Sequence, residues 1–319
     1  MDAVRWGVLG VAGIFKHRVA PPLSRSTVAR VQAIASRDEL KAKAAAATLG
    51  IPRAYGSYEV LLADPEVEAV YIPLPNHLHA PYIRKAADAG KHVLCEKPLA
   101  MTSKETAELV ALARKRPKQA AGVNYNIRFY PLAIEARERV RGGQLGRVHH
   151  VLGSYVQDWL LLDTDYNWRV LAAEGGELRA VADIGTHWLD LVHSITGLEV
   201  ESVCADLLTV HPVRRRPKGE VETYSGKLAQ ESDLEPVAVT TEDYGAILLR
   251  FKGGARGTLV VSQVTAGRKN CLRYEMAAEK GALAWNSENP EELWIGRRGA
   301  TNATSVIPSS PPTPSGRWK

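Results

Sequence analysis

Residues 3–124 alternate short, almost wholly apolar runs with longer helix-like segments, and this alternation is the strongest constraint on the fold. The runs AVRWGVLG, RVQAIAS, EAVYIP, KHVLCE and QAAGVN are apolar nearly throughout, without the period-two pattern of a strand with one wet face. Strands apolar on both sides need cover on both sides. Intervening helices supply that cover, so a parallel sheet between two helical layers is predicted. Between the second and third runs, DELKAKAAAATLG offers Asp38 as a helix N-cap and Gly50 as its stop. TSKETAELVALARKR opens with Thr102 or Ser103 and carries Glu105 and Glu108 near the positive end of its helix dipole.

Past about residue 145 the pattern changes. RVHHVLGSYVQDW, VESVCADLLTV, DYGAILLRF, RGTLVVSQVTA, CLRYEMAAE and ALAWNS are longer, β-rich and partly alternating, with glycine turns at Lys252-Gly253-Gly254 and Glu279-Lys280-Gly281. A second α/β domain with a large, mostly antiparallel open sheet follows. An open sheet face seeks a partner, so a homodimer or homotetramer through that face is expected. The domains are placed at 1–124 and 125–300, with a Ser/Thr/Pro-rich tail, 301–319, expected to be disordered.

Composition narrows the partners. The net charge is +6, but residues 297–319 hold four basic residues and no acid, so the body is nearly balanced and no nucleic acid is expected. The cluster Arg214, Arg215, Arg216 and Lys218 lacks interleaved aromatics and reads as a solvated loop. No apolar stretch reaches the length of a membrane span, and MDAVRWGVLG has no signal-peptide sections, so a cytoplasmic protein without a membrane partner is expected. Cys95, Cys204 and Cys271 are widely spaced in apolar or strand-like segments; buried reduced thiols and no metal site are expected.

Gly10, Ala12 and Phe15 occupy the three positions of a G-x-G-x-x-G fingerprint, directly after the first strand and at the mouth of a helix. Such a turn brings helix-terminal amides up to a pyrophosphate. Gly10, Ala12, Gly13 and Ile14 are therefore cofactor-binding candidates, although Phe15 stands where a small residue usually lets helix and strand pack. The second run ends in Ser36-Arg37-Asp38, where these folds select between dinucleotides. An acid there suits the ribose 2′-hydroxyl of NAD; a Ser-Arg pair suits the 2′-phosphate of NADP. NADP is favoured through Ser36 and Arg37, with NAD as the alternative, while Asp38 also reads as the N-cap of the next helix.

The next two strand tips carry Pro73, Leu74, Asn76 and His79, and then Glu96, Lys97 and Pro98. Ligands bind at this edge of open α/β sheets. Asn76 can present its amide to a ribose or cap the following helix, and His79 can pack in that helix's first turn. Lys97 can donate to a substrate hydroxyl and stabilise the alkoxide-like oxygen that develops as hydride leaves; otherwise it is half of a surface Glu-Lys pair.

The glycine-bearing turn, Pro75-Asn76-x-x-His79 and above all Glu96-Lys97-Pro98 resemble the glucose-fructose oxidoreductase, inositol dehydrogenase and rhizopine-catabolism (Gfo/Idh/MocA) oxidoreductases over about residues 4–296. The resemblance implies a Rossmann dinucleotide-binding domain, an open-sheet α/β domain and a Lys-Pro peptide that is often cis. It extends to GGELRAVADIGTHWLDLVHSITG, where Asp183 and His187, four apart and on one helical face, match the family's Asp-x-x-x-His. That match makes Lys97, Asp183 and His187 the catalytic candidates, with His187 exchanging the hydroxyl proton and Asp183 orienting substrate or imidazole. Asn167-Trp168-Arg169 resembles the family's cofactor loop, which adds Arg169, and NYNIRFYP adds Asn126; both segments also read as interdomain packing. The implied activity is NAD(P)-dependent hydride transfer to or from a sugar, polyol or related cyclic hydroxy compound. A redox-neutral, NAD-dependent glycoside hydrolase and a catalytically impaired cofactor-binding paralogue are the alternatives.

Overall fold

A computed structural model describes residues 2–218 and 234–307. The chain forms two compact units. The first holds the residues up to Asn124, Asp163–Arg179 and the described part of Pro212–Thr241; the second holds Tyr125–Leu162, Ala180–His211 and the described residues from Glu242 onward.

In chain order, the first unit contributes β1 (Val4–Leu9), a π-helical turn (Phe15–Val19) running into α1 (Ala20–Leu23), β2 (Ala29–Ala35) and α2 (Glu39–Leu49). Next come β3 (Arg53–Tyr55), α3 (Tyr58–Ala63), β4 (Ala69–Ile72), α4 (Asn76–Asp88), β5 (His92–Cys95), α5 (Ser103–Arg114) and β6 (Ala121–Val123). The six strands lie parallel in the order β3-β2-β1-β4-β5-β6. Both faces are covered: Val8, Ile34 and Tyr71 pack with Phe15 and α2, whereas Leu9, Val70 and Ile72 pack with Leu61, Ile83 and Leu109. The five apolar runs all become strands. The three-residue edge strand β3 carries no apolar run to announce it.

Helix ends follow the capping residues. Asp38 Oδ1 accepts the amides of Leu40 (2.9 Å) and Lys41 (3.2 Å), and Gly50 closes α2 at φ 66°. Thr102 Oγ1 accepts the Glu105 amide at 3.1 Å while Glu105 Oε2 accepts the Met101 amide at 3.2 Å.

The second unit begins with a 3-10 turn (Asn126–Phe129), α6 (Pro131–Arg141) and β7 (Val148–Val156). The chain then adds α7 (Ala172–Gly175) to the first unit and, through a π-helical turn (Val181–Gly185), gives α8 (Thr186–Thr196) and β8 (Val200–Leu208) to the second. The antiparallel pair β9 (Val213–Pro217) and β10 (Leu234–Ala238) joins the first unit. β11 (Tyr244–Phe251), β12 (Arg256–Ser262), β13 (Cys271–Ala278), β14 (Gly281–Asn286), β15 (Asn289–Gly296) and β16 (Ala303–Val306) complete the second. Its eight-stranded sheet runs β16-β15-β14-β13-β7-β12-β11-β8, antiparallel except where β12 pairs with β7.

One face of this sheet is packed by α6 and α8. Trp188, fully buried, donates from Nε1 to the Arg273 carbonyl at 3.0 Å. Gly153 makes room for it: a Cβ there would lie 2.3 Å from Trp188 Nε1 and 2.2 Å from the Arg273 oxygen. Among the described residues nothing covers the other face, where Leu152, Thr258, Leu248 and Cys204 stand in register across β7, β12, β11 and β8, and every residue of β8 is exposed.

Four expectations need correction. Segment 163–179 and the described part of 212–241, assigned by sequence to the second domain, fold with the first unit. Polar locks rather than apolar stripes hold them: fully buried Arg214 donates to the Asp165 carbonyl (2.9 Å), Thr241 Oγ1 to the Val170 carbonyl (3.0 Å) and Arg179 Nε to Thr241 Oγ1 (3.1 Å). The arginine run is accordingly a strand, not a solvated loop. Residues 303–306, expected in a disordered tail, pair with β15; residues 308–319 lie outside the described residues. Cys95 and Cys271 are buried free thiols, but Cys204 is exposed on β8.

Candidate active site

In the first unit the predicted residues gather at the C-terminal edge of the parallel sheet. Gly10 ends β1 with its N–H on the Ala35 carbonyl (2.8 Å) at φ 106°, and a Cβ there would come 3.0 Å from Leu74 Cδ2. Only glycine suits both the backbone angle and the close approach. Ala12 precedes the helical run that Gly13 and Ile14 open. Phe15 is buried against Tyr71, ring centroids 6.2 Å apart, so an aromatic in a π-helical turn fills the space a small residue would leave closed. The turn fits a pyrophosphate despite its irregular third position.

At the β2 tip, Asp38 is engaged as the α2 cap, and its own amide donates to Ser36 Oγ at 3.2 Å. Ser36 and exposed Arg37 border a cleft of about 1160 Å³ within this unit. The cleft also takes in Lys16, His17, Lys41, Tyr166 and Arg216, none of which the fingerprint identifies.

Pro73 and Leu74 follow β4, and Asn76 opens α4 with Pro75 as its cap residue, so Asn76 is not the N-cap. Its Nδ2 donates to the Gly175 carbonyl at 2.9 Å, tying α4 to the returning segment 163–179. His79 is fully buried, with Nδ1 2.6 Å from the Pro98 carbonyl and Nε2 2.7 Å from the Leu74 carbonyl. Burial lowers its pKa, against the pull of the two carbonyls. With no exposed surface His79 holds the two strand-tip loops rather than a ligand, which corrects its assignment as a cofactor contact.

At the β5 tip, Glu96 Oε1 accepts from the Tyr71 hydroxyl (2.5 Å) and from Asn124 Nδ2 (2.7 Å). Burial, then the Glu96 charge, pushes the Tyr71 phenol pKa strongly upward, so it stays a donor. Lys97 follows, half-buried, before a cis Lys97–Pro98 peptide. Arg169 also belongs to this unit; its guanidinium lies 4.3 Å from the Trp168 ring centroid, and Nη1 donates to Asn167 Oδ1 at 3.1 Å.

The second unit carries the other catalytic candidates. Asp183 lies in the π-helical turn before α8, a local widening common at functional sites. Its Oδ2 accepts from Gln263 Nε2 at 2.9 Å; Gln263, fully buried just past β12, is missed by sequence reasoning because it sits eighty positions away. His187 is buried in the first turn of α8, edge-on to Tyr125 (5.5 Å) and near Tyr155 (6.1 Å). Asn126 is exposed in this unit's 3-10 turn. Its neighbour Arg128 forms a bidentate pair with Asp190 of α8 and is thereby committed to packing. Among the described residues no group of three or more His, Cys, Asp or Glu converges as a metal site, and no helix is long and apolar enough to cross a membrane.

Residues 4–125 match the oxidoreductase family with an NAD-binding Rossmann fold, and residues 133–284 match the GFO/IDH/MocA C-terminal domain. An uncharacterized oxidoreductase of Rhizobium meliloti is 38% identical over 270 residues, 85% of this chain and 71% of its own length. The chain belongs to the Gfo/Idh/MocA oxidoreductase family. Within it, D-xylose 1-dehydrogenase (NADP(+)) 2 of Haloferax volcanii is 48% identical over 154 residues, 47% of this chain and 45% of that protein. The solved levoglucosan dehydrogenase in complex with NADH and L-sorbose superimposes with a TM-score of 0.83 at 26% identity, covering 96% of this chain and 80% of that one. The chain thus spans between about half and seven-tenths of the curated relatives cited. The Rossmann domain and the open-sheet domain implied by the resemblance are both present.

Proposed function

We propose that this Gfo/Idh/MocA chain is an NADP(H)-dependent dehydrogenase or reductase acting on the CH–OH group of a sugar, polyol or related cyclic hydroxy compound, with NAD as the alternative cofactor. The observation that carries the reading is Lys97 at the ligand edge of the parallel sheet, next to a Glu96 carboxylate held by Tyr71 and Asn124. Lys97 donates to the substrate oxygen and stabilises the charge developing there. His187 takes or returns the hydroxyl proton, and Asp183, steadied by Gln263, orients substrate or imidazole. Bound nicotinamide supplies or accepts the hydride. Pro73, Leu74, Asn126 and Arg169 remain cofactor-side assignments of this proposal, and the engaged Asp38 favours NADP.

The named relatives are a D-xylose 1-dehydrogenase (NADP(+)) and a levoglucosan dehydrogenase solved with NADH and L-sorbose, which supports net hydride transfer over redox-neutral glycoside cleavage. Burial of Phe15 against Tyr71 removes the reason to read an impaired paralogue from that position. A second copy of the chain is the proposed cover for the bare face through Leu152, Leu248 and Cys204, with light scattering as its check. A cytoplasmic location is proposed from the three free thiols and the diffusible cofactor.

A screen of sugars and polyols with NADP and NAD, followed by absorbance of the reduced nicotinamide, tests the function. Turnover that survives undiminished in Lys97→Ala and His187→Ala would refute the mechanism.

A further inference from the structure

Among the described residues, the first unit's cleft is lined by five cationic side chains, Lys16, Arg37, Lys41, Arg216 and Lys218, and two carboxylates, Glu174 and Glu235. Three of the cations follow β1 and β2, as in any dinucleotide cleft. Arg216 lies on β9 of the β9/β10 pair and Lys218 just past it, about 180 residues further along the chain.

The three members of the run Arg214-Arg215-Arg216 do different work. Arg214 is fully buried and anchors β9 to the Asp165 carbonyl. Arg215 pairs with Asp163, Nε to Oδ2 at 2.9 Å, while its amide donates to the Asp163 carbonyl at 2.9 Å. These three contacts fix the strand, and Arg216 is the member that lines the cleft. It stands opposite Glu235 in register, and Glu235 Oε1 accepts its Nε at 2.6 Å. A carboxylate on the Nε edge orients a guanidinium, and the pair cancels one cation against one of the two acids lining the cleft.

We propose that the β9/β10 pair is part of the 2′-phosphate site, with Arg216 and Lys218 joining Arg37 and Lys41 in binding the dianion that distinguishes NADP from NAD. The proposal rests on the NADP reading and goes beyond it by giving cofactor selection to a returning segment as well as to the β2 tip. The excess of positive charge matches a phosphate and has no counterpart in the bare hydroxyl of NAD. Asp38, the residue that would hold that hydroxyl, is occupied by the α2 amides.

Calorimetric titration of the full chain with 2′,5′-ADP and with 5′-AMP tests this, because the two ligands differ only in the phosphate at issue. Arg216→Gln combined with Lys218→Gln is expected to weaken 2′,5′-ADP by about tenfold or more, the scale of one charge-assisted hydrogen bond, and to leave 5′-AMP within about twofold. Unchanged 5′-AMP binding also reports that the variant is folded, and Arg216→Lys should recover part of the loss. Equal weakening of both ligands, or none, overturns the proposal. If the wild type prefers 2′,5′-ADP and Arg37→Ala abolishes the preference while the double variant does not, NADP use stands and the β9/β10 role falls. If the wild type binds both ligands alike, the NADP reading falls and this proposal with it.

Discussion

Each unit carries one pair of candidate site residues, and the two pairs are supported in different ways. Glu96 and Lys97 lie at a strand tip, and their supports come from adjacent strands and α4: Tyr71 of β4, Asn124 just past β6, and His79 of α4 on the Pro98 carbonyl. Asp183 and His187 lie on a helical segment that depends on Gln263 beyond β12, on the rings of Tyr125 and Tyr155, and on Trp188 seated over Gly153. A parallel sheet distributes support over neighbouring tips. A helix laid on an antiparallel sheet concentrates it in a few long-range contacts.

The largest effect is therefore expected at Trp188. Trp188→Ala removes a fully buried indole and its bond to the Arg273 carbonyl, and should destabilise the second unit by about 3–5 kcal/mol. Urea unfolding followed by circular dichroism measures it. A loss below about 1 kcal/mol would mean that support is as distributed here as in the first unit.

The next effect concerns chemistry. Lys97→Ala and His187→Ala should each lower kcat by roughly two to three orders of magnitude while cofactor affinity changes little. Only the His187 variant should lose the pH dependence that a proton-exchanging imidazole gives to turnover. Matching pH profiles in both variants would contradict the division of roles.

Gln263→Leu and Tyr71→Phe then compare the supports directly. Glu96 keeps Asn124 as a donor when the Tyr71 hydroxyl is removed, so kcat/KM should fall by only about threefold. Removing the buried Gln263 amide from Asp183 should cost about tenfold. The reverse order would show that strand-tip support is the more fragile.

This contrast also explains what the sequence discloses. Lys97 can be placed from its own segment because an apolar run followed by a charged residue locates a strand tip. Asp38 and Thr102 can be read as caps because capping acts within three residues. Asp183 and His187 are legible as a spacing, but Gln263 is not, since nothing local marks a glutamine as the partner of an aspartate eighty residues earlier. β9 is hidden for a related reason. A run of three arginines reads as solvated, and only the assembled unit shows Arg214 buried against the Asp165 carbonyl. Segment 163–179 and the described part of 212–241 are held by side-chain hydrogen bonds, mostly to backbone carbonyls, which leave no periodic trace.

The smallest expected effect separates surface from support. Lys85 lies 2.6 Å from Glu59 in the first unit and, mainly through that hydrogen bond, lowers the Glu59 pKa from 4.5 to about 2. A depressed carboxylate pKa stabilises the fold above its unfolded value and loses that contribution as pH falls from about 4.5 towards 2. Both side chains are about half exposed, so solvent screening leaves the pair only a small contribution. In the second unit Lys269, chiefly by its hydrogen bond, likewise lowers the Asp158 pKa, but Asp158 is only 14% exposed and also accepts the Gly267 amide. Asp158→Asn should therefore flatten the acid limb of stability more than Glu59→Gln. Urea midpoints at pH 7 and pH 3 give the comparison, with added salt erasing more of the Glu59 effect. Equal flattening would show that burial of Asp158 adds nothing to its pairing, and that the second unit's reliance on buried contacts stops at the helix that carries His187.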